Sequence, residues 1–316
     1  METRKNIKVI RKKKRLRKSI LLLLLFSLIL LSFSTYAVAQ YFSGKNQTGK
    51  GIIKKNYDFN GQKDSRGRIN ILLVGVDSRG GKGTSNSDSM IIAQYDPKQN
   101  KAKIISLMRD MYTPIPGYDE NKKINASYLL GGPELLRETI KRNFNIDLEY
   151  YILVDFKGFE NAIDAIAPNG IEIDVEKAMS KEIGVSLQKG LHNLNGKELL
   201  GYSRFRKDAE SDFGRIRRQQ QVIKAVSDEV ISANGIAKAP KLLGTIQPYI
   251  QTNISKMDSL SLIKEFMFFD TKDIDTMTVP VKGSFTEDRL QDKYGTFILR
   301  TDFEMNAEAI REFLDK

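Results

Sequence analysis

Ile69-Asn70-Ile71-Leu72-Leu73-Val74-Gly75-Val76 runs straight into Asp77-Ser78-Arg79-Gly80-Gly81-Lys82-Gly83-Thr84-Ser85-Asn86-Ser87-Asp88. A short apolar run bounded by turn residues reads as a buried strand, and the polar, glycine-rich stretch reads as a loop at its end. Residues 90–95 and 103–108 read as further strands joined by the turn Asp96-Pro97-Lys98-Gln99-Asn100, and Arg109-Asp110 again falls where a strand ends. Helical apolar spacing marks residues 132–144, 157–167 and 195–203, while 150–154 and 170–175 have strand character. Further helices are expected at 233–244, 259–269 and 303–315, with strands near 275–281 and 295–300. Strands alternating with helices imply an α/β fold, a three-layer αβα sandwich around a mixed central sheet. Such sheets keep their sites at strand ends.

Working outward, the densest chemistry lies in Tyr202-Ser203-Arg204-Phe205-Arg206-Lys207-Asp208-Ala209-Glu210-Ser211-Asp212-Phe213-Gly214-Arg215-Ile216-Arg217-Arg218-Gln219. The guanidinium fork matches phosphate oxygens two at a time, so an anion is expected here. Arg204 and Arg206, two apart in an extended segment, point the same way and form one prong. Asp212 suits an N-cap, and Ile216, Val222, Ile223, Val226 and Val230 follow at helical spacing. Arg215, Arg218 and Gln219 then share one face near the positive end of the helix dipole, a second prong for the same diphosphate. The same composition also suits a solvated basic face.

Arg4, Lys5, Lys8, the run Arg11-Lys12-Lys13-Lys14-Arg15, Arg17 and Lys18 make residues 1–18 a basic tail. An uncharged apolar run occupies residues 19–40, at about twenty residues long enough to span a bilayer as a helix. The basic flank places the N-terminus in the cytoplasm and the rest outside, a single-pass type II topology at the cell membrane. Ala37-Val38-Ala39 also resembles a signal cleavage site, but the apolar run is much longer than a signal core. The +12 net charge suggests a polyanion partner until the tail is removed. Taking its ten basic residues and Glu2 from 51 Lys/Arg and 39 Asp/Glu leaves 41 against 38, so no nucleic-acid partner is expected. Residues 41–68, rich in Gly, Lys, Asn and Gln, read as a linker, and 69–316 as one extracellular domain. With no cysteine, that domain relies on its core alone.

Asp77 and Asp88 flank the loop between two paired strands, where they can meet as hard oxygen ligands for Mg²⁺ or simply cap turns. The glycine-rich loop is not a P-loop, because no Gly-Lys-Ser/Thr follows at the required interval. His192 is the single histidine, too few for the common zinc sites and more suited to a turn than to a triad. Arginine, carboxylate and a metal remain, the equipment of phosphoryl transfer by positioning and charge neutralisation.

Taken together, Val74-Gly75-Val76-Asp77-Ser78-Arg79, Ser87-Asp88-Ser89-Met90, Ser106-Leu107-Met108-Arg109-Asp110, Lys123-Ile124-Asn125-Ala126, Gly131-Gly132, Leu194-Asn195-Gly196-Lys197-Glu198-Leu199-Leu200-Gly201 and the arginine-rich stretch resemble the successive motifs of the LytR-CpsA-Psr family. The ordered match covers about residues 69–230 and is specific in combination. Met108 stands where a proline is usual and Gly201 where an alanine is usual, neither change removing a charge. The resemblance implies a Mg²⁺-dependent phosphotransferase of a Gram-positive bacterium. It would move an anionic glycopolymer, a wall teichoic acid or capsular polysaccharide, from an undecaprenyl-diphosphate carrier to peptidoglycan as a phosphodiester. By the same resemblance Arg109, Arg204, Arg206, Arg215 and Gln219 would hold the diphosphate and Asp77 and Asp88 the metal; Arg218 joins the diphosphate set from its place on the helix face, and Arg79 stands at the margin of the carry-over. Asp77, Arg109, Arg206 and Arg215 would be catalytic, with Asp110 at the margin of the carry-over. It also implies an apolar cavity for the polyprenyl chain, whose lining core-like residues do not reveal. Membrane lipid and peptidoglycan are the expected partners. A membrane-anchored transcription attenuator and a non-catalytic receptor for lipid-linked polymer are the alternative readings.

Overall fold

The computed structural model describes residues 35, 36, 38–45, 56–77, 87–231, 241, 243–255, 257–259, 261, 262 and 274–316. In chain order the strands are β1 (Ile69–Val76), β2 (Ser87–Asp96), β3 (Lys101–Leu107), β4 (Met111–Thr113), β5 (Lys122–Lys123), β6 (Tyr150–Asp155), β7 (Ile171–Val175), β8 (Gly190–Leu194), β9 (Ile250–Thr252), β10 (Ile274–Val279), β11 (Phe285–Arg289) and β12 (Phe297–Thr301). The helices are α1 (Ile124–Phe144), α2 (Phe156–Ile166), α3 (Gly196–Arg204), α4 (Ser211–Ile231) and α5 (Phe303–Asp315).

The central sheet has the order β10-β3-β2-β1-β6-β9. It is mixed: β1 runs antiparallel to β2 and parallel to β6, and β3 runs antiparallel to β2 and parallel to β10. Alternation decides which side each residue serves. Leu72, Val74, Met90, Ile92, Ile105 and Leu107 face a core completed by Leu136 and Ile140 of α1 and Ile310 and Leu314 of α5. Ile71, Leu73, Ala93 and Ile104 face the other way, toward Ile223, Val226 and Val230 of α4. Helices therefore flank both faces of a mixed sheet, as the alternating pattern leads one to expect.

Three features differ from the sequence reading. A smaller sheet, β11-β12-β4-β5, continues from the ends of β3 and β10, and β7 and β8 form a separate ribbon. Strands this short carry little periodicity, and their partners are distant in the chain. α1 starts at Ile124 rather than at Gly132, because a bent first segment precedes the breaker Gly131-Gly132-Pro133. Gly132 has φ +67°, and a Cβ there would stand 2.7 Å from the Tyr57 ring, so the kink requires glycine. The helices expected at 233–244 and 259–269 fall mostly outside the described residues, as do the apolar run 19–40 and Arg79. Among the described residues no helix is long and apolar enough to cross a membrane.

Candidate functional site

The register of the central sheet brings separate chain segments together. Val76 of β1 pairs with Ser87 of β2, and Met90 of β2 pairs with Leu107 of β3. Asp77, Asp88 and Arg109 lie just beyond these residues, so strand pairing alone gathers them at one end of the sheet. α3 is held in place by a capping box between Asn195 and Glu198 and ends at Arg204, after which Phe205 is extended. Arg206 follows on that extended segment. α4 then presents Arg215 and Gln219, one turn apart, toward the same end of the sheet. Asp77, Asp88, Arg109, Arg204, Arg206, Arg215 and Gln219 all line one cavity of about 400 Å³.

Arg109 is the hub of this cavity. Its Nη1 donates to Asp88 Oδ1 at 3.0 Å. Asp212 Oδ2 and Asp110 Oδ2 stand 3.4 and 3.6 Å from its Nε, close enough for charge attraction but not aligned as hydrogen bonds. Asp212 also accepts from Arg215 Nη2 at 3.1 Å, and Asp110 accepts from Lys123 Nζ at 2.6 Å. Burial works against the charge on Arg109, but Asp212, Asp110 and Asp88 outweigh it and hold its pKa above the ordinary arginine value. At Arg215, whose side chain is only 7% exposed, burial prevails. Repulsion from Arg109 and Arg206 adds to it, and the pKa is pushed down in spite of Asp212. The Nε groups of Arg109 and Arg215 are both buried without a hydrogen-bond partner. The burial of Arg215 and its crowding by Arg109 and Arg206 favour an incoming anion at that side chain. Arg204 adds to the wall with its guanidinium 4.3 Å from the centre of the Phe156 ring.

A second cavity of about 460 Å³ lies on the α4 side of the sheet, with Ile71, Leu73, Ala93, Ile104, Val226 and Val230 among its lining residues. Leu73 and Ile223 line both cavities, so the apolar space adjoins the charged one. A molecule with an anionic head and a greasy tail fits this pair.

The profile of the LytR_cpsA_psr family matches residues 32–310. This chain belongs to that family. Among its relatives, regulatory protein MsrR of Staphylococcus aureus is 46% identical over 282 residues, covering 89% of this chain and 85% of MsrR. The polyisoprenyl-teichoic acid–peptidoglycan teichoic acid transferase TagU of Bacillus cereus is 30% identical over 264 residues, covering 79% of this chain and 84% of TagU. The crystal structure of TagV from B. subtilis matches with a TM-score of 0.67 at 32% identity, over 78% of this chain and 97% of that one. The LytR-CpsA-Psr resemblance read from the motifs therefore holds, and the relatives include teichoic acid transferases.

In this LytR-CpsA-Psr domain the motif residues do not all reach the cavity. Arg218, expected beside Arg215 and Gln219, is fully buried and points away from it, to Glu176, Asp208 and the Phe205 carbonyl. Positions 215 and 218 differ by about 60° around a helix, enough for α4 to turn one into the cavity and the other into the protein. Asp110 touches Arg109 but is not part of the cavity wall. Arg217 pairs with Glu176 and Glu210 on the exposed side. Asp212 is not the N-cap, because α4 begins at Ser211, and its carboxylate instead bridges Arg109 and Arg215. No local signal distinguishes a capping Asp from one that orients two arginines. Lys181, from the segment after β7, also lines the cavity and carried no sequence signal. His192, expected in a turn, sits instead in β8 opposite Ile173 and is not part of the cavity wall.

Among the described residues no group of three or more His, Cys, Asp or Glu could hold a metal by itself. Mg²⁺ does not require one, since it keeps several waters and is bound through one or two carboxylates plus phosphate oxygens. Asp77 and Asp88 line the cavity together, and Asp88 is within reach of Arg109 and partly open, with its side chain 36% exposed. That donor set, hard oxygen only and open on one side, fits Mg²⁺.

Proposed function

We propose that this protein is a phosphotransferase that moves an anionic glycopolymer from a polyprenyl-diphosphate carrier to peptidoglycan outside the cell. One observation carries the reading: Arg109, Arg204, Arg206 and Arg215 line one cavity that adjoins an apolar one through Leu73 and Ile223. The names of TagU and TagV add support. Arg109, Arg206 and Arg215 grip the diphosphate, and Arg204 and Gln219 complete the wall. Asp88 and Asp212 orient Arg109 by the contacts described above, so the clamp is preorganised before the donor arrives. The acceptor hydroxyl oxygen forms a bond to the glycan-linked phosphorus while the bond to the bridging oxygen breaks, and lipid monophosphate leaves. Asp77 takes the proton of the acceptor. Mg²⁺, held by Asp77 and Asp88, would supply charge neutralisation at the phosphates. Cleavage of the diphosphate linkage drives the transfer, so no ATP is needed outside the cell.

The direct test mixes purified protein with a synthetic lipid-diphosphate glycan and a peptidoglycan oligomer. Release of lipid monophosphate together with glycan on the oligomer is expected, and absence of both would overturn the reading. For the metal, Asp77→Asn and Asp88→Asn each lower transfer and its dependence on added Mg²⁺ while circular dichroism stays that of the wild type. Transfer indifferent to chelator would remove the metal from the mechanism.

The name of MsrR, a regulatory protein, favours a second reading as a membrane-anchored regulator. The two part on topology. With the tail of residues 1–18 inside, protease added to intact cells digests the domain while the protein stays with the membrane. A protected domain would favour regulation from the cytoplasm, and a mature chain free in the medium would show that residues 19–40 are a cleaved signal.

A further inference from the structure

Arg218 is 0% exposed, yet it lies three residues after the cavity-lining Arg215 and next to the cavity-lining Gln219 without entering the cavity. Its Nη1 donates to Glu176 Oε1 at 2.7 Å and to Asp208 Oδ2 at 3.1 Å. Its Nη2 donates to the Phe205 carbonyl at 2.6 Å, and its guanidinium carbon lies 5.2 Å from the centre of the Phe205 ring. One guanidinium thus ties α4 to two chain segments, one after β7 and one after α3.

Those two segments build the cavity mouth. The first carries Lys181 and Glu182, and the second carries Arg206, all of which line the cavity. They are also braced to each other, by Lys177 Nζ to Asp208 Oδ2 at 3.1 Å and by Lys207 Nζ to Glu182 Oε1 at 2.9 Å. Those two braces lie nearer the solvent, with the lysine side chains 43% and 44% exposed, so screening weakens them. The buried contacts of Arg218 are not screened in this way. Arg206 itself is exposed and attracted only at longer range by Glu182 on the facing segment, so its direction depends chiefly on its backbone. Arg218 holds that backbone from behind, at the preceding carbonyl.

The helix is shaped to admit this side chain. A Cβ on Gly214 would stand 3.0 Å from Arg218 Nη2 and 2.8 Å from Glu210 Cβ. Glycine is unfavourable inside a helix, and its presence one turn before Arg218 answers to close approaches by both Glu210 and Arg218.

We propose that Arg218 is a positioning residue: from outside the cavity it locks the segments carrying Arg206 and Lys181, so that both face the diphosphate. The proposal rests on reading the cavity as the diphosphate site. Lysine cannot substitute, because a single ammonium lacks the planar fork that spans two carboxylates and a carbonyl.

The test is a double-mutant cycle on the full-length protein in detergent, with farnesyl diphosphate as the probe. Arg218→Lys is expected to weaken binding about tenfold in the wild-type background, and less than about twofold when Arg206 is already Ala. A purely structural loss would act equally in both backgrounds, and that result, or no loss in either, overturns the proposal. A ligand-free readout stands beside the cycle. Trypsin cleavage after Arg206 or Lys207 in the folded protein is expected to accelerate about tenfold in Arg218→Lys. Unchanged cleavage means that Arg218 does not hold this segment, which overturns the proposal whatever the binding shows. A wild-type protein that fails to bind farnesyl diphosphate while cleavage still accelerates would fault the functional reading and leave the lock itself upheld.

Discussion

Replacing Arg109, Arg206 or Arg215 by lysine lowers transfer nearly as far as replacing it by alanine, roughly ten- to a hundredfold per residue. Lysine preserves the charge but loses the two-donor fork, and a charged hydrogen bond in a partly buried site is worth on the order of 1.5–3 kcal/mol. At Arg109 the loss is compounded, since a lysine would leave Asp88, Asp110 and Asp212 sharing one ammonium in place of a guanidinium. Arg217 is the internal control: with its side chain 47% exposed and paired to Glu176 and Glu210, it should tolerate either substitution. The measurements are transfer rate and lipid-diphosphate affinity for both variants at each position, with circular dichroism to confirm folding. Lysine variants near wild-type activity at the three cavity positions would reduce the cluster to a solvated basic surface. An Arg217 variant as damaged as the others would mean that the cavity does not define the clamp.

Filling the apolar cavity from the sheet side separates lipid recognition from diphosphate recognition. Ala93 lines that cavity but not the charged one. Ala93→Phe is expected to raise the dissociation constant for a long-chain polyprenyl diphosphate on the order of a hundredfold while leaving isopentenyl diphosphate binding within about twofold. Displacing about four buried methylene equivalents of the chain, at ~0.8 kcal/mol each, accounts for the size of the loss. The melting temperature should hold or rise, because an apolar ring replaces empty space. Equal loss for long and short chains would point to distortion of the mouth. Unchanged long-chain binding would show that the lipid lies elsewhere.

Much of this architecture follows from local pattern. The short apolar runs at residues 69–76, 90–95 and 103–108 mark the strands of the central sheet, and helical spacing marks α2, α3, α4 and α5 to within a residue or two. Polar residues at strand ends, Asp77, Asp88 and Arg109, are visible for the same reason: each interrupts an apolar period where the strand must stop. Arg206 and Arg215 stand out by residue type alone. Periodicity and side-chain chemistry are properties of a short window, so a single chain can display them.

What lay beyond the sequence depends on which elements meet. Ile71, Leu73 and Ala93 are the same kinds of residue as Leu72 and Ile92, one residue out of phase, yet they border a cavity while Leu72 and Ile92 are packed in the core. The difference is the helix on each side and how closely it approaches. Asp212 could be a cap or a bridge between arginines, and the position of Arg109 across the sheet end decides between them. Arg215 and Arg218 belong to one helix and one motif, and both suit phosphate. Only the packing of α4 against the segments after β7 and α3 sends the first to the cavity and the second to Glu176, Asp208 and Phe205. Local chemistry therefore named the arginines able to grip an anion, and the tertiary contacts, being long-range, decided which of them line the cavity and which are buried behind it.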